Sequence, residues 1–167
     1  CVVAYNYFEG NGVSGQDAFA GLPKRSVIYS NWIVNSNWGG ITSGVATDVV
    51  ISKNVIVNSS GSGISIDAGT LPSYRVIITN NVIIDTGNYG IRVGWSMNVP
   101  VYDVIIAGNV VKDTAGTGIV ALYGRNIQIV NNRIENAGAN GIAVRGFDHA
   151  VIIGNVVINP NNSSKTD

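Results

Sequence analysis

The chain has 167 residues, of which 12% are charged, and its 10 basic and 10 acidic side chains give a net charge of zero at pH 7. No basic stripe offers a nucleic-acid site, no apolar run approaches the ~18 residues of a membrane-spanning helix, and a single cysteine excludes an internal disulfide. The sequence therefore predicts a single domain with neither nucleic acid nor a membrane as partner.

An asparagine recurs along the whole chain, and each of the first five is followed at a fixed distance by a Gly-Ile pair. The steps between successive asparagines are 23, 27, 28, 23 and 23 residues. Periods of this length with short β-branched runs predict a solenoid, in which each unit buries its apolar face against its neighbours. The recurring residues are Asn31, Asn54, Asn81, Asn109, Asn132 and Asn155.

The repeat that contains Asn81 shows the pattern of one coil. Runs of Val and Ile favour extended backbone, and Gly, Asn and Asp between the runs favour turns. Three strands per coil are expected, here over residues 76–79, 82–84 and 91–93. Because side chains alternate across a strand, five of these residues are expected inside. They are Val76, Ile78, Ile83, Ile91 and Val93.

Two polar columns follow from this alignment. The recurring asparagine falls at the corner between the first two strands, where its amide is expected to bond the amides of the coils above and below. The second column closes the next turn, so its two carboxylates are interpreted as turn residues without a catalytic role. Its members are Asn35, Asn58, Asp85, Asp113 and Asn136.

The Asn-x-[Ile/Val]…Gly-Ile repeat, which runs from Val2 to Pro160, resembles the right-handed parallel β-helix superfamily. That superfamily includes pectate lyases, other polysaccharide lyases and hydrolases, and phage tailspikes. The expected fold is all-β: a single-stranded right-handed parallel β-helix of about seven coils over residues 1–160, followed by a polar tail over residues 161–167. The resemblance implies a carbohydrate-active protein that is secreted or lies on a cell or virion surface.

The chain begins part-way along a strand. Cys1 aligns with Ser26 at an inward position and is therefore predicted to be buried. No capping helix precedes it in the sequence, and an uncapped solenoid end exposes core and unpaired backbone. Further coils of the same polypeptide, or another subunit, are expected to precede Cys1, which makes the chain a fragment of a longer solenoid.

The outward positions of the first two strands are apolar, where an isolated solenoid would carry polar side chains. Apolar residues on both sides of a parallel strand indicate that both sides are covered. The expected partners are identical chains around a threefold axis, forming a trimer, or further coils of the same polypeptide. The alternative is that these residues serve strand propensity alone. They include Val27, Val50, Ile77 and Ile105 in the first strand and Trp32, Val55, Val82 and Val110 in the second.

The outward side of the third strand is more polar, and two adjacent repeats carry insertions directly after it. Asp67, Arg92 and Arg145 supply charge on this face. Aromatic side chains on or near the insertions are candidate stacking surfaces for sugar rings, although Trp95 and Tyr102 could instead anchor the loop. The aromatic candidates are Trp95, Tyr74, Tyr102, Tyr89 and Tyr123.

Two catalytic hypotheses are open at this face. A hydrolase needs two carboxylates about 5–5.5 Å or 6.5–9.5 Å apart, and Asp67 and Asp17 are the candidates. For a lyase, the resemblance implies an arginine or lysine base with calcium held by several acids. Arg92 is the candidate, either as this base or, with Asp67 as the acid or base, as the group that steadies a sugar carboxylate or developing anion. No cluster of three carboxylates accompanies it, so neither a metal site nor a cofactor is predicted. The alternative for Asp67 and Arg92 is a simple salt bridge.

The sequence thus predicts a module that recognises, and by the resemblance cleaves, polysaccharide. The alternative function is a non-catalytic structural shaft, or a cell-surface or virion assembly subunit, that associates with itself through the apolar outer columns. The sparse acids favour the shaft, and the clustered loops with aromatic residues favour polysaccharide recognition.

Overall fold

A computed structural model describes residues 1–10, 19–20, 24–67 and 71–160, with side chains throughout except at residues 19–20. The 18 elements in these residues are all β-strands. No helix in the described ranges is long and apolar enough to cross a membrane. The predicted polar tail over residues 161–167 lies outside the described residues.

The strands fall into three series that repeat along the chain. The first strands of the coils are β1 (Val2–Ala4), β4 (Ser26–Tyr29), β7 (Thr47–Ser52), β10 (Ser73–Thr79) and β13 (Val101–Ala107). The second strands are β2 (Tyr7–Glu9), β5 (Trp32–Ser36), β8 (Val55–Ser59), β11 (Val82–Thr86), β14 (Val110–Thr114), β16 (Arg133–Ala137) and β18 (Val156–Ile158). The third strands are β3 (Phe19–Ala20), β6 (Ile41–Ser43), β9 (Ile64–Ile66) and β12 (Ile91–Val93), while β15 (Ile119–Val130) and β17 (Ile142–Ile153) run on into the first strand of the next coil.

Each strand pairs in parallel with its equivalent in the next coil. The second strands form a 7-stranded sheet within the described residues, and the first and third strands form an 11-stranded sheet because β15 and β17 join the two series. In the 7-stranded sheet, Ile83 lies between Ile56 and Val111 in register. These pairings confirm the predicted all-β parallel β-helix and the three strands per coil.

The core is a stack of aliphatic side chains from all three strands. Val76, Ile78, Ile83, Ile91 and Val93 are fully buried, as the alternation predicted. Equivalent positions in neighbouring coils bury the same residue types, so each coil covers the apolar surface of the next. Burial of this aliphatic surface is the main favourable term in the stability of the fold.

The glycine before each inward isoleucine is required by close packing at the second corner. A side-chain carbon on Gly63 would lie 2.4 Å from Cγ2 of Ile83 and 2.8 Å from the carbonyl oxygen of Gly90. Atoms at those distances overlap, so only a residue without a side chain lets the coils stack at this corner.

The recurring asparagines form a continuous ladder through the first corner. Oδ1 of Asn81 accepts hydrogen bonds from the backbone N–H and from Nδ2 of Asn54, both at 3.0 Å. Nδ2 of Asn81 donates to Oδ1 of Asn109 and to the carbonyl oxygen of Ile51, again at 3.0 Å. Asn81 is fully buried, so its amide satisfies polar groups that water does not reach. The structure confirms the predicted structural role of this column.

The second polar column lies at an exposed turn. Asp85 and Asp113 have φ angles of 57° and 54°, in the left-handed region that Asn and Asp tolerate better than other side chains. Nδ2 of Asn58 donates to Oδ1 of Asn35 at 2.8 Å, and Nδ2 of Asn136 donates to Asp113 at the same distance. This backbone geometry agrees with the interpretation as turn residues.

One prediction about the core is wrong. Cys1 was expected to be buried and is exposed. It lies in the first coil, where only one side is stacked on another coil: its N-terminal ammonium donates to the carbonyl oxygen of Arg25 at 3.1 Å. Within this chain, Cys1 is covered from one neighbouring coil, and its exposure follows from that.

The apolar outward column of the second strands is partly exposed to solvent, while the outward residues Val27, Val50, Ile77 and Ile105 of the first strands are half-buried. Trp32 is 54% exposed and Val110 is 37% exposed, while Val55 and Val82 between them are half-buried by their neighbours in the column. Their register is continuous from β5 to β14. This second-strand column, from Trp32 to Val110, therefore forms an apolar ridge along the 7-stranded sheet.

Candidate functional site

The predicted insertions lengthen the connection from the third strand to the next first strand in two adjacent coils. The longer of them, residues 94–100, joins β12 to β13 and contains an antiparallel bridge between Ser96 and Val99. Tyr74 and Tyr102 were expected on these insertions but belong to β10 and β13. These two strands begin earlier than predicted because their first residues pair with the neighbouring coils.

A cleft of about 190 Å³ opens on the third-strand face and spans three coils. Thr42, Ser65 and Arg92 are in register on neighbouring strands, so their outward side chains line one ladder. Small residues form the floor in the middle coil, and larger side chains rise on both sides. The lining residues are Trp38, Gly39, Thr42, Ser60, Gly61, Ser62, Ser65, Asp67, Gly87, Asn88 and Arg92.

The floor of the cleft is low because of Gly61. A side-chain carbon there would lie 2.6 Å from the carbonyl oxygen of Trp38, so no larger residue fits. Adjacent parallel coils are ~4.8 Å apart, which places the walls on the two outer coils about 10 Å apart. That width accepts a flat ring with polar edges between the walls.

Arg92 and Asp67 form an ion pair at one wall of the cleft. Nη2 of Arg92 contacts Oδ2 of Asp67, and Nε of Arg92 donates to the hydroxyl of Ser65 at 3.2 Å. The Arg92 side chain is 15% exposed and that of Asp67 is 26% exposed. The other carboxylate oxygen of Asp67, Oδ1, is buried without a hydrogen-bond partner in the described residues. The salt bridge that the sequence left open is therefore present.

Two aromatic rings hold Arg92 from the sides. Its guanidinium carbon lies 4.7 Å from the centroid of the Trp95 ring and 5.8 Å from that of Tyr89, both within the range of cation–π contacts. Trp95 nevertheless remains 60% exposed. The structure thus brings four of the predicted site residues together: Asp67, Arg92, Trp95 and Tyr89.

Tyr74 and Tyr102 lie away from this cleft, on the first-strand face. They are register partners, and their rings stack with centroids 5.0 Å apart and an angle of 13° between planes. The prediction that they share the third-strand face with Asp67 is wrong. Both are residues of first strands, β10 and β13, and their half-buried side chains alternate with the buried ones of those strands.

A second cleft of about 380 Å³ is lined in part by Tyr102 and Tyr123. Arg125 and Asp148 form an exposed ion pair there, with Nη2 and Oδ2 separated by 3.3 Å. Arg145 is exposed on β17, in register with Leu122, and lines neither cleft. Asp17, the predicted partner of Asp67, lies outside the described residues.

Trp38 is the cleft residue that sequence reasoning missed. It is 58% exposed and forms the wall opposite Asn88 and Arg92. The signal was available: at the same corner position the next coils carry Gly61 and Asn88, so a large aromatic residue stands in a column of turn residues. An exposed tryptophan in such a column indicates a contact surface.

The described residues contain no group of three or more His, Cys, Asp or Glu side chains that could hold a metal ion.

A second ion pair of the same kind joins Arg75 and Asp48 on the first-strand face, where both side chains are exposed. The hydrogen bond from Arg75 holds the pKa of the Asp48 carboxyl below its usual range. This pair, between residues of neighbouring coils, is a natural control for the pair at the cleft.

Solved structures of three enzyme domains share this architecture. The catalytic unit of a thermostable GH87 α-1,3-glucanase from Streptomyces thermodiastaticus strain HF3-3 is 21% identical with a TM-score of 0.66, over 87% of this chain and 28% of that one. The A-module of the mannuronan C-5 epimerase AlgE4 from Azotobacter vinelandii is 15% identical with a TM-score of 0.56, over 84% of this chain and 55% of that one. The A-module of AlgE6 from the same organism is 16% identical with a TM-score of 0.55, over 93% of this chain and 58% of that one.

These likenesses show the fold, and the chain spans less than two thirds of the length of each of those domains. Among curated protein sequences no match is found. The family described as right handed beta helix region matches residues 1–101 and 73–158, which together take in nearly the whole chain. The parallel pairing of all three strand series agrees with that match, and the chain belongs to the right-handed β-helix family.

Proposed function

We propose that the chain is a polysaccharide-binding module and that the cleft between Trp38 and Arg92 holds a sugar unit of the bound polymer. The observation that carries the proposal is a floor of small polar residues between an exposed tryptophan and an arginine clamped by two aromatic rings. The names of the three similar structures, a glucanase and two mannuronan epimerases, support a polysaccharide as the class of ligand. A polymer of this kind is met outside the cell, so we place the protein in secretions or on a cell or virion surface.

The chemistry of the cleft suits a sugar ring. Hydroxyl groups of Thr42, Ser62 and Ser65 can donate and accept hydrogen bonds with sugar hydroxyls. The indole of Trp38 offers a flat apolar face that matches the C–H face of a pyranose. Binding sites of this type combine apolar walls with a few placed polar groups that fix orientation.

Cleavage of the bound polymer is a further step beyond the binding proposed above, and the cleft supports it less. A glycoside hydrolase needs two carboxylates, and Asp67 is the one carboxylate among the described residues that line the cleft. Asp67 is also engaged by Arg92. Arg92 is held by Asp67, Ser65 and two aromatic rings, which favours a binding role for it over the role of a lyase base. Recognition is therefore the function that the geometry supports best.

Replacement of Trp38 tests the binding site. Trp38→Ala is expected to weaken binding of α-1,3-linked glucose oligosaccharides, measured by isothermal titration calorimetry, by about tenfold, or ~1.4 kcal/mol. The reason is the loss of the apolar wall against which the sugar stacks. Trp32→Ala is the matched control, since Trp32 is similarly exposed at 54% but lies on the 7-stranded sheet, away from the cleft. Equal effects of the two substitutions would contradict the assignment.

Cleavage is tested separately, by incubating the protein with a panel of neutral and acidic polysaccharides and following product release. New reducing ends without unsaturated-sugar absorbance would indicate hydrolysis, and both signals together would indicate elimination. Binding without either signal would leave recognition as the whole function of this chain and exclude cleavage by it.

The apolar ridge along the 7-stranded sheet favours a second function, that of a non-catalytic structural shaft that associates with itself. A continuous exposed apolar column is unusual on a monomer and typical of an interface. We expect the chain to sediment as a trimer at micromolar concentration in analytical ultracentrifugation. Val82→Lys, which places a charge in the middle of the ridge, is expected to shift it to monomer. A wild-type chain that sediments as a monomer would exclude this function.

A further inference from the structure

The charges of the cleft are balanced within the cleft itself. Asp67 and Arg92 are the two charged side chains among the described residues that line it, and they are bonded to each other. All other lining side chains are neutral: hydroxyls, an amide, an indole and glycines. A ligand that enters the cleft therefore meets no net charge from these residues.

Arg92 is largely enclosed, with 15% of its side chain exposed and two of its five N–H donors engaged within the protein. One nitrogen contacts Asp67, another donates to Ser65, and the rings of Trp95 and Tyr89 lie beside the guanidinium. A uronic-acid carboxylate that approached the remaining N–H donors of Arg92 would either come close to the Asp67 carboxylate or displace it. Displacement would leave Asp67, whose Oδ1 is already buried without a hydrogen bond, as an uncompensated negative charge beside the incoming anion.

From this charge balance we infer that the cleft selects uncharged polysaccharides, such as polymers of neutral hexoses, against polymers of uronic acids. The inference rests on the proposed function, that the cleft binds a sugar unit. It goes further because it names which class of sugar the ion pair admits. Asp67 acts here as a specificity-determining residue that masks the charge of Arg92.

No other described cation near the cleft replaces Arg92. Arg145 lies two coils away and lines neither cleft, and Arg125 in the second cleft is paired with Asp148. Arg75 is paired with Asp48 on another face. A polyuronate would therefore find no unpaired arginine among the described residues of either cleft, and repulsion from Asp67 would oppose its entry.

The first measurement compares wild-type binding of neutral α-1,3-linked glucose oligosaccharides with that of mannuronate oligosaccharides of equal length. We expect the neutral ligand to bind at least about tenfold more tightly, with an affinity that is nearly independent of salt, because no ionic contact forms. Tighter, salt-sensitive binding of mannuronate would overturn the inference and leave the proposed function standing. Failure of both ligands to bind would overturn the proposed function together with the inference.

The second measurement removes the negative charge of Asp67 that balances Arg92. Asp67→Asn leaves Arg92 in place with an unbalanced charge, so the ratio of mannuronate to glucose affinity is expected to rise about tenfold and to fall again at high salt. Asp48→Asn is the matched control, because it frees Arg75 in the same way but away from the cleft, and it should leave the ratio unchanged. An unchanged ratio in Asp67→Asn would overturn the inference.

A third variant tests the inference independently of whether Asp67→Asn folds. Thr42 lies at the edge of the cleft, half-buried on the same ladder as Ser65 and Arg92, and Thr42→Lys adds a cation without breaking the ion pair. We expect this variant also to raise the ratio of mannuronate to glucose affinity. If it binds glucose oligosaccharides but gains no mannuronate binding, charge does not decide selectivity at this cleft and the inference fails.

Discussion

Asn81→Ala is expected to lower the free energy of unfolding by about 3 to 6 kcal/mol, because it leaves several buried polar groups unpaired at once. The backbone N–H and one amide hydrogen of Asn54 lose their acceptor, and the carbonyl oxygen of Ile51 loses a donor. Asn54 and Asn81 are both fully buried. Urea denaturation followed by far-UV circular dichroism measures the change.

The control for this prediction is an asparagine at the exposed corner. Asn58 has a positive φ of 56° and donates one hydrogen bond to Asn35. Glycine adopts that backbone conformation without strain, so Asn58→Gly should change the stability by less than about 1 kcal/mol. Comparable losses in Asn81→Ala and Asn58→Gly would show that the ladder contributes no more than an ordinary turn.

Ile83→Ala is expected to cost about 2 to 5 kcal/mol, the range for removing a large aliphatic side chain from a packed core. Ile83 is fully buried and lies between Ile56 and Val111, so the cavity would open in the middle of the stack. The same urea titration measures the loss, and an unchanged m-value would show that the denatured state is unaltered.

The neighbouring residue on the same strand provides the matched control. Ile84 points to the opposite side of β11 and is half-buried, in register with Val57 and Lys112. Ile84→Ala removes the same atoms and should cost less than about 1 kcal/mol. A loss as large as that of Ile83→Ala would mean that the outward column is buried in solution, as it would be if the chain associates through it.

The strand pattern could be predicted from the sequence because every coil of a solenoid has the same local backbone structure. Val76, Ile78 and Ile83 could be placed inside from alternation alone, since every coil imposes the same inside and outside on its column. Cys1 shows where this reasoning stops. Its column is inward, but burial also requires a coil on each side, which is a property of stacking and is not encoded in the pattern around one residue.

The candidate site was only partly predictable because it also depends on how neighbouring coils stack. The pairing of Asp67 with Arg92 followed from their positions on neighbouring coils at the same face, and the structure places them in contact. Tyr74 was assigned to an insertion because the first residues of β10 do not fit the repeat; they are strand residues only because Tyr74 pairs with Thr47 and Tyr102. Trp38 was missed although the repeat aligns it with Gly61 and Asn88, because the corner positions were interpreted as turn residues and their side chains were not compared between coils.

The sequence by itself determined the period, the inward columns, the asparagine corner and the face that carries the insertions, because each depends on residue types repeated at fixed spacing. Tertiary structure alone decided which side chains share a cleft. The height of the wall at Trp38 depends on the absence of a side chain at Gly61 in the next coil, and the masking of Arg92 depends on the reach of Asp67 across one coil spacing. Both are distances between residues far apart in the chain, which only the stacking of coils at ~4.8 Å brings together.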